Sequence, residues 1–392
     1  KMNKKYDFLI SGAGLVGALT ALQLTKHGHS CCLIEKNNLS KNSTLKNYAP
    51  LSLNYRSFLI LKKFGLWDQV EKYAYPIKKL NLKSFSSLNR LSLESTDIGL
   101  NNLGYVVDRR CLLSTFLDAL TQSSKVDIIE NDYIKDIEIE NSKDDYIISK
   151  IESGKTIESN YLIVSDGIDS RIKNILNIDS EIIDYSQSSY IYNAKADFEE
   201  NTAIQIFNKH GIFAAIPYEK DYLSIVLSLD KKFEEKYFND SKPNEDSIRA
   251  VFKKYIKNIS NFEFVSKYSL VTSRANNIIK DNILLLGNSS QLLHPVGAQG
   301  FNLALRNLET LLNCIEMDSD FSNLSDLIDS DRKSAFSNVD YATNIFASDM
   351  LLSKIITFTT YNLVKSSPAL KTKFLEKILG LEGYAYLSIG TK

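Results

Sequence analysis

The chain is 392 residues long, which suggests two or three domains, and its 44% apolar content is enough for a sizeable core. Its 47 basic residues balance 47 acidic ones and form no basic block, so a nucleic-acid partner is not expected. No apolar run reaches the length of a membrane span.

The first strand begins near Tyr6, so no signal peptide is expected. Cys31, Cys32, Cys111 and Cys314 show neither metal nor redox spacing. No metal is therefore expected, and all four read as reduced and structural, consistent with the cytoplasm.

Residues 6–11 (YDFLIS) read as a buried strand. GAGLVG follows at 12–17, then a helical pattern to about Lys26, then a second strand at 31–35 (CCLIE) that ends in an acid. Strand, GxGxxG, helix, strand and Glu make a complete dinucleotide-binding unit. Gly12 makes the tight turn and Gly14 lets a pyrophosphate approach. Gly17 allows close helix-to-strand packing, and Glu35 can take two ribose hydroxyls. This unit alone does not distinguish FAD from NAD.

Residues 55–66 (YRSFLILKKFGL) predict a helix ending at Gly65, with Arg56 facing either a phosphate or the solvent. Residues 76–99 suggest strands of an inserted segment. Residues 104–117 (GYVVDRRCLLSTFL) predict a short strand and a helix with Arg110 at its start. The alternating stretch 126–157 predicts antiparallel strands with a Ser153-Gly154 turn. Another buried strand, 161–164, runs into SDGIDSR at 165–171 and a further helix. An Asp-Gly pair at a strand's C-terminal end is where an open α/β sheet places ligands; a helix cap is the plainer alternative for Asp166. Strand patterns fill most of 185–230 and 262–273, with a helix at about 245–259 between them. They predict a second, sheet-rich domain inserted into the first.

Residues 283–309 (ILLLGNSSQLLHPVGAQGFNLALRNLE) predict strand, loop and helix, the helix starting between Gly297 and Gly300. A helix start offers unpaired N–H groups and a partial positive charge. Pro295 stiffens the approach, Gly297 and Gly300 leave the backbone open to a flat ligand, and Asn288 is free to bind a hydroxyl. The site suits a ligand with a polyol at one end and a ring that gains negative charge at the other, as a reduced flavin does; an ordinary strand-to-helix turn is the alternative. The tail from Met350 is helical, interrupted by Pro368, with apolar and lysine faces. It either packs on the domain or lies against a membrane.

Three motifs now stand in order: GAGLVG, SDGIDSR and GNSSQLLHPVGAQGFNLALRN. Together they resemble the class A flavin monooxygenases of the p-hydroxybenzoate hydroxylase fold, and most of all the ubiquinone-biosynthesis hydroxylases, over nearly the whole chain. The resemblance implies an α/β fold: a Rossmann-like FAD-binding domain (1–75, 100–183 and 274–345), an inserted mixed-sheet substrate domain (76–99 and 184–273) and a C-terminal helical segment (346–392). It implies that Gly12, Gly14, Gly17 and Glu35 hold the ADP half of FAD. Arg110 matches the family's cofactor arginine, in the pattern Arg-x-x-Leu-x-x-x-Leu with Leu113 and Leu117. Asp166 and Gly167 match the motif that touches the FAD pyrophosphate and the passing nicotinamide cofactor. Asn288 would bind the ribitol, and Pro295, Gly297 and the backbone around Gln299, Gly300 and Asn302 the isoalloxazine ring. Gly297-Ala298 reverses the subgroup's usual Ala-Gly, leaving a small residue at each position.

The resemblance also implies a reaction. NADH or NADPH reduces FAD, O2 adds at flavin C4a, and the hydroperoxide passes OH to the ring of a prenylated phenol. No second GxGxxG is present, in keeping with transient binding of NAD(P)H. His294 is the best-placed titratable group, with a structural role as its alternative. A greasy substrate implies contact with the inner-membrane surface and with other quinone-biosynthesis proteins. Four alternatives stay open: a reductase of this fold, a halogenase (disfavoured by a lone tryptophan, Trp67), a non-catalytic flavin-binding subunit, and a plain NAD-binding protein.

Overall fold

The computed structural model of the protein describes residues 5–39, 50–84, 90–140, 146–239, 242–317, 322–341 and 351–382. Parts of the expected C-terminal segment, 346–350 and 383–392, lie outside the described residues.

The chain opens with β1 (Lys5–Ser11), α1 (Leu15–Lys26) and β2 (Cys31–Glu35). β3 (Pro50–Asn54) runs into α2 (Tyr55–Lys63) and the single turn α3 (Trp67–Val70). Next come β4 (Tyr75–Ile77), β5 (Lys79–Lys83), β6 (Arg90–Glu94), β7 (Gly104–Asp108) and α4 (Arg109–Thr121). β8 (Val126–Glu130), β9 (Ile134–Glu140), β10 (Tyr146–Ile151), β11 (Thr156–Val164) and α5 (Arg171–Ile175) complete the first half.

The second half begins with β12 (Ser180–Phe198), β13 (Thr202–Asn208), β14 (Gly211–Glu219) and β15 (Tyr222–Asp230). After α6 (Glu234–Tyr237), a small ladder of β16 (Phe238–Asn239) and β17 (Lys242–Pro243) leads to α7 (Glu245–Phe252) and the long β18 (Ile256–Ala275). β19 (Ile279–Lys280), β20 (Ile283–Leu285) and β21 (Gln291–Leu292) precede α8 (Gln299–Glu316), α9 (Ser322–Tyr341), α10 (Leu351–Ser366) and α11 (Pro368–Leu379).

One sheet has the order β19-β20-β11-β1-β2-β8, with β10 and β9 continuing from β11. Its centre is parallel. Central strands of such sheets are covered on both faces, which is why CCLIE is buried at every position. Cys31 and Cys32 are both free thiols within it. Three expectations change. The stretch 126–130 is parallel to β2, because it is the edge strand of the Rossmann sheet and not part of the antiparallel ribbon. Residues 156–164 form one continuous strand, antiparallel to β10 at its start and parallel to β1 along its length. The helix expected at 245–259 stops at Phe252, since Ile256 already begins β18.

The second sheet has the order β21-β18-β12-β15-β14-β13-β5-β6. Two residues per period put one face against α6 and α7, where Tyr192, Phe213, Ile225 and Phe252 form a core. Its other face turns toward the first sheet. The strands β3, β7 and β4 form a small sheet of their own.

α8 is the beam between these layers. Arg56, at the start of α2, neither meets solvent nor waits for a phosphate: it is ion-paired with Glu309 of α8, with both side chains close to fully buried. Lys63 Nζ reaches the same carboxylate at 3.3 Å. Arg332 of α9 is 1% exposed and donates to the carbonyls of Ala275 and Ser290, both at 2.9 Å. It thereby clamps the point where the chain leaves β18. Ser367 caps α11, Pro368 opens it and Gly380 closes it in a left-handed turn. Among the described residues no helix is long and apolar enough to cross a membrane.

Candidate active site

A cavity of about 840 Å³ lies outside the C-terminal ends of β1, β2, β11 and β20, bounded by the second sheet and by α11. That is where an open parallel sheet holds its ligands.

Its first wall is made of interlocked turns. Gly12 has φ +95°, and a Cβ there would lie 2.7 Å from the Ser165 oxygen and 2.8 Å from Asp166 Cα. A Cβ on Gly17 would lie 1.8 Å from the Gly12 oxygen. Ser165 Oγ completes the lock by donating to the carbonyls of Ser11 (2.9 Å) and Gly12 (3.1 Å). Gly14, by contrast, has nothing within 4 Å of its missing Cβ. It starts α1 without a side-chain cap and with no acid in the first turn, so the helix leaves N–H groups for an anion. Glu35 Oε2 accepts from the Ala13 N–H at 2.8 Å and Oε1 from the Asn37 N–H at 3.0 Å. The acid thus braces the glycine turn as well as lining the cavity.

Asp166 is half-buried, and its Oδ1 has no partner among the described residues. Burial raises its pKa, against the lowering effect of the Ser170 hydroxyl and of Lys173 and Lys36. Gly167 beside it has φ +97° and open space.

The expected arginine behaves differently from its neighbour. Arg110 folds back on the α4 cap: its Nε lies 3.0 Å and 2.9 Å from the two oxygens of Asp108. Both arginines line the cavity, but the Arg109 guanidinium makes no hydrogen bond or ion pair with another described residue. Desolvation by the protein around it lowers its pKa. The phase of α4 explains the difference. Leu112, Phe116 and Leu120 are its buried stripe, whereas Leu113 and Leu117 are half-buried. The expected frame of Arg110, Leu113 and Leu117 thus runs beside the buried stripe, and Arg110 itself lines the cavity.

The second wall is the loop from β20 to α8. Asn288 is exposed to the cavity within the 3-10 turn Gly287–Ser289. Pro295, Gln299 and Gly300 line the cavity, and a Cβ on Gly300 would meet nothing within 4 Å. Gly297 lies outside the residues whose side-chain surroundings are described. Ala298 carries φ +51° and ψ +42°, a left-handed conformation that favours glycine. Reversing Ala-Gly to Gly-Ala therefore puts the methyl at the strained position. Asn302 is 1% exposed and uses its amide fully. Oδ1 accepts from the Asn54 N–H (3.0 Å) and Ser57 Oγ (2.6 Å), and Nδ2 donates to the carbonyls of Ser52 (3.0 Å) and Ala298 (2.6 Å). Its side chain is a staple, so only its backbone can serve a ligand.

His294 is not part of the cavity wall. It is 1% exposed, with Tyr185 edge-on at 5.1 Å. Nδ1 accepts from the Val296 N–H at 3.2 Å, so Nε2 carries the proton and donates to Gln187 Oε1 at 3.0 Å. Burial lowers its pKa to about 4. Of its two sequence-based roles, this geometry supports the structural one.

Open amides at Gly14, a free guanidinium at Arg109 and an unpartnered Asp166 oxygen fit a bound dinucleotide. A family model described as an FAD binding domain matches residues 5–320. The chain belongs to the FAD binding domain family. Among curated relatives, this FAD-binding chain is 25% identical over 328 residues to ubiquinone hydroxylase UbiM of Neisseria meningitidis, covering 80% of this chain and 69% of that one. It is 21% identical over 322 residues to 3-demethoxyubiquinol 3-hydroxylase of Escherichia coli, covering 80% of each. Among solved structures, p-nitrophenol 4-monooxygenase PnpA of Pseudomonas putida superposes with a TM-score of 0.76 at 15% identity, covering 96% of this chain and 99% of that one. That likeness shows the fold.

Two outcomes follow for the loop between β20 and α8. Ala298→Gly should raise unfolding free energy by roughly 0.5–1 kcal/mol in urea titration, as left-handed strain is relieved. For His294 the unfolded pKa is 6.5 and the folded one about 4, so the unfolded state binds the extra proton between them. Its contribution is complete above pH 6.5 and is lost as pH falls toward 4, up to about 3 kcal/mol. Comparing unfolding of the wild type and His294→Gln across this window should show the steeper acid loss in the wild type.

Proposed function

We propose that the protein is an FAD-dependent monooxygenase that uses NADH or NADPH and O2 to hydroxylate the ring of a polyprenyl phenol in ubiquinone biosynthesis. One observation carries the proposal: a single cavity joins the glycine turns, the helix start of α8 and an apolar sheet wall. The names of the ubiquinone hydroxylase and 3-demethoxyubiquinol 3-hydroxylase relatives support the pathway.

Gly12, Gly14, Gly17 and Glu35 would hold the ADP half of FAD, with Arg109 on the pyrophosphate and Asp166 and Gly167 beside it. Asn288 would take the ribitol, and the backbone of Pro295, Gly297, Gln299, Gly300 and Asn302 the ring. When bound, FAD supplies the electron transfer and oxygen activation that amino-acid side chains lack. The start of α8 places uncapped N–H groups where the ring would carry negative charge. The sheet wall and α11 exclude water and orient the phenol. Arg110, held by Asp108, supports the helix start, and His294 fixes the loop without moving a proton.

We also place the tail of the protein against an anionic membrane surface. Leu363 (54%) and Leu370 (42%) are exposed on α10 and α11, with Lys365, Lys373 and Lys377 exposed on the same two helices. Replacing both leucines by glutamate should abolish flotation with anionic vesicles; unchanged flotation would refute the contact.

The reaction is tested by anaerobic visible spectra with NADH. Flavin that bleaches faster with a prenylated methoxyphenol, then recovers in air with hydroxylated product, is expected. Flavin that never bleaches argues for a non-catalytic subunit. Arg109→Ala should weaken FAD binding by about 10- to 100-fold, the worth of a charge-assisted hydrogen bond, and Arg110→Ala by much less.

A further inference from the structure

Period-2 geometry picks out one row of side chains on the cavity face of the second sheet. Ile191 is paired with Val226, Val226 with Ala214, and Ala214 with Gln205. All four are half-buried and line the cavity. Their sequence neighbours, among them Tyr190, Ile225, Phe213 and Ile206, are buried in the core behind the sheet. The row is therefore the floor of the cavity's apolar half.

Gln205 is the polar member of that row. Its strand lies between β14 and β5, so its backbone is committed to the ladder. Its side-chain amide makes no hydrogen bond to another described residue. Tyr268, the other polar side chain that these strands give the cavity, stands four strands away on β18. At about 4.8 Å per strand, that is roughly 19 Å. One aromatic ring cannot reach both. Among the described residues, these strands give the cavity no Asp, Glu, Lys, Arg or His. A carboxylate on the ligand would be desolvated here without a cation to pair with.

We propose that Gln205 is the positioning residue for the substrate's ring hydroxyl, and that the wall around it selects an uncharged phenol over an aromatic acid. This rests on the monooxygenase reading above. An amide both donates and accepts, so it matches a neutral hydroxyl in either direction. A site built to bond a hydroxyl discriminates against analogues that lack one, because its own polar group is left unpaired.

The test uses FAD-loaded protein and follows flavin fluorescence on titration with three ligands: a prenylated methoxyphenol, its O-methyl ether and the matching hydroxybenzoic acid. The wild type should prefer the phenol to the ether by about tenfold, and to the acid by more. Gln205→Leu should bring the phenol down to the affinity of the ether, leave the ether unchanged and retain full flavin content. Gln205→Asn, which keeps the amide but shortens its reach, should fall between, and it decides the matter if the leucine variant loses flavin. A leucine or asparagine variant with the wild-type phenol preference overturns the assignment, as does a wild type that favours the acid or does not separate phenol from ether. A wild type that binds none of the three overturns both the assignment and the proposed reaction.

Discussion

Everything in the site depends on how closely two stretches of backbone meet at the C-terminal edge of the parallel sheet. At Gly17 the space a Cβ would fill is already taken by the carbonyl of Gly12. At Gly12 that space is taken by the turn after β11. The Ser165 hydroxyl ties the same carbonyls from the other side. This contact aims the start of α1 and the Asp166 carboxylate into one cavity. A side chain on either glycine would force backbone apart, which no rotamer change can absorb.

The other half of the site is held by polar side chains whose hydrogen bonds go to the protein itself. Asn302 joins β3, the start of α2 and the Ala298 turn in one saturated amide. The Arg56–Glu309 pair fixes α2 to α8, and His294 pins the loop to β12 through Gln187. Such groups are costly to bury unless each finds its partner, and these do. Arg109, Asp166, Asn288 and Gln205 instead line the cavity, and Asp166 Oδ1 has no protein partner among the described residues.

Much of this was legible in the chain as written. GAGLVG with its flanking strands and SDG after a buried strand carry local signatures, because the positive φ of Gly12 and Gly167 and the close approach at Gly17 favour glycine, whereas the loop before α8 has its positive φ on Ala298. The failures share a cause. Val126–Glu130 alternates enough to pass for a hairpin strand, yet it lies parallel to β2, and only sheet order shows that. The helix expected to reach Ile259 stops at Phe252, because Ile256 already pairs with Phe198 on β12.

The amino-acid sequence by itself determined the strand-turn-helix unit at 5–35, the three glycine-containing turns that line the cavity and the order of elements, since these rest on residue-level backbone preferences and periodicity. Tertiary structure alone decided that Arg110 is tied to Asp108, that Arg56 and His294 serve the scaffold, that Ala298 bears strain, and that Ile191, Val226, Ala214 and Gln205 meet in one row. Those facts depend on side chains far apart in the chain, and their pairing is settled by sheet register and helix phase together.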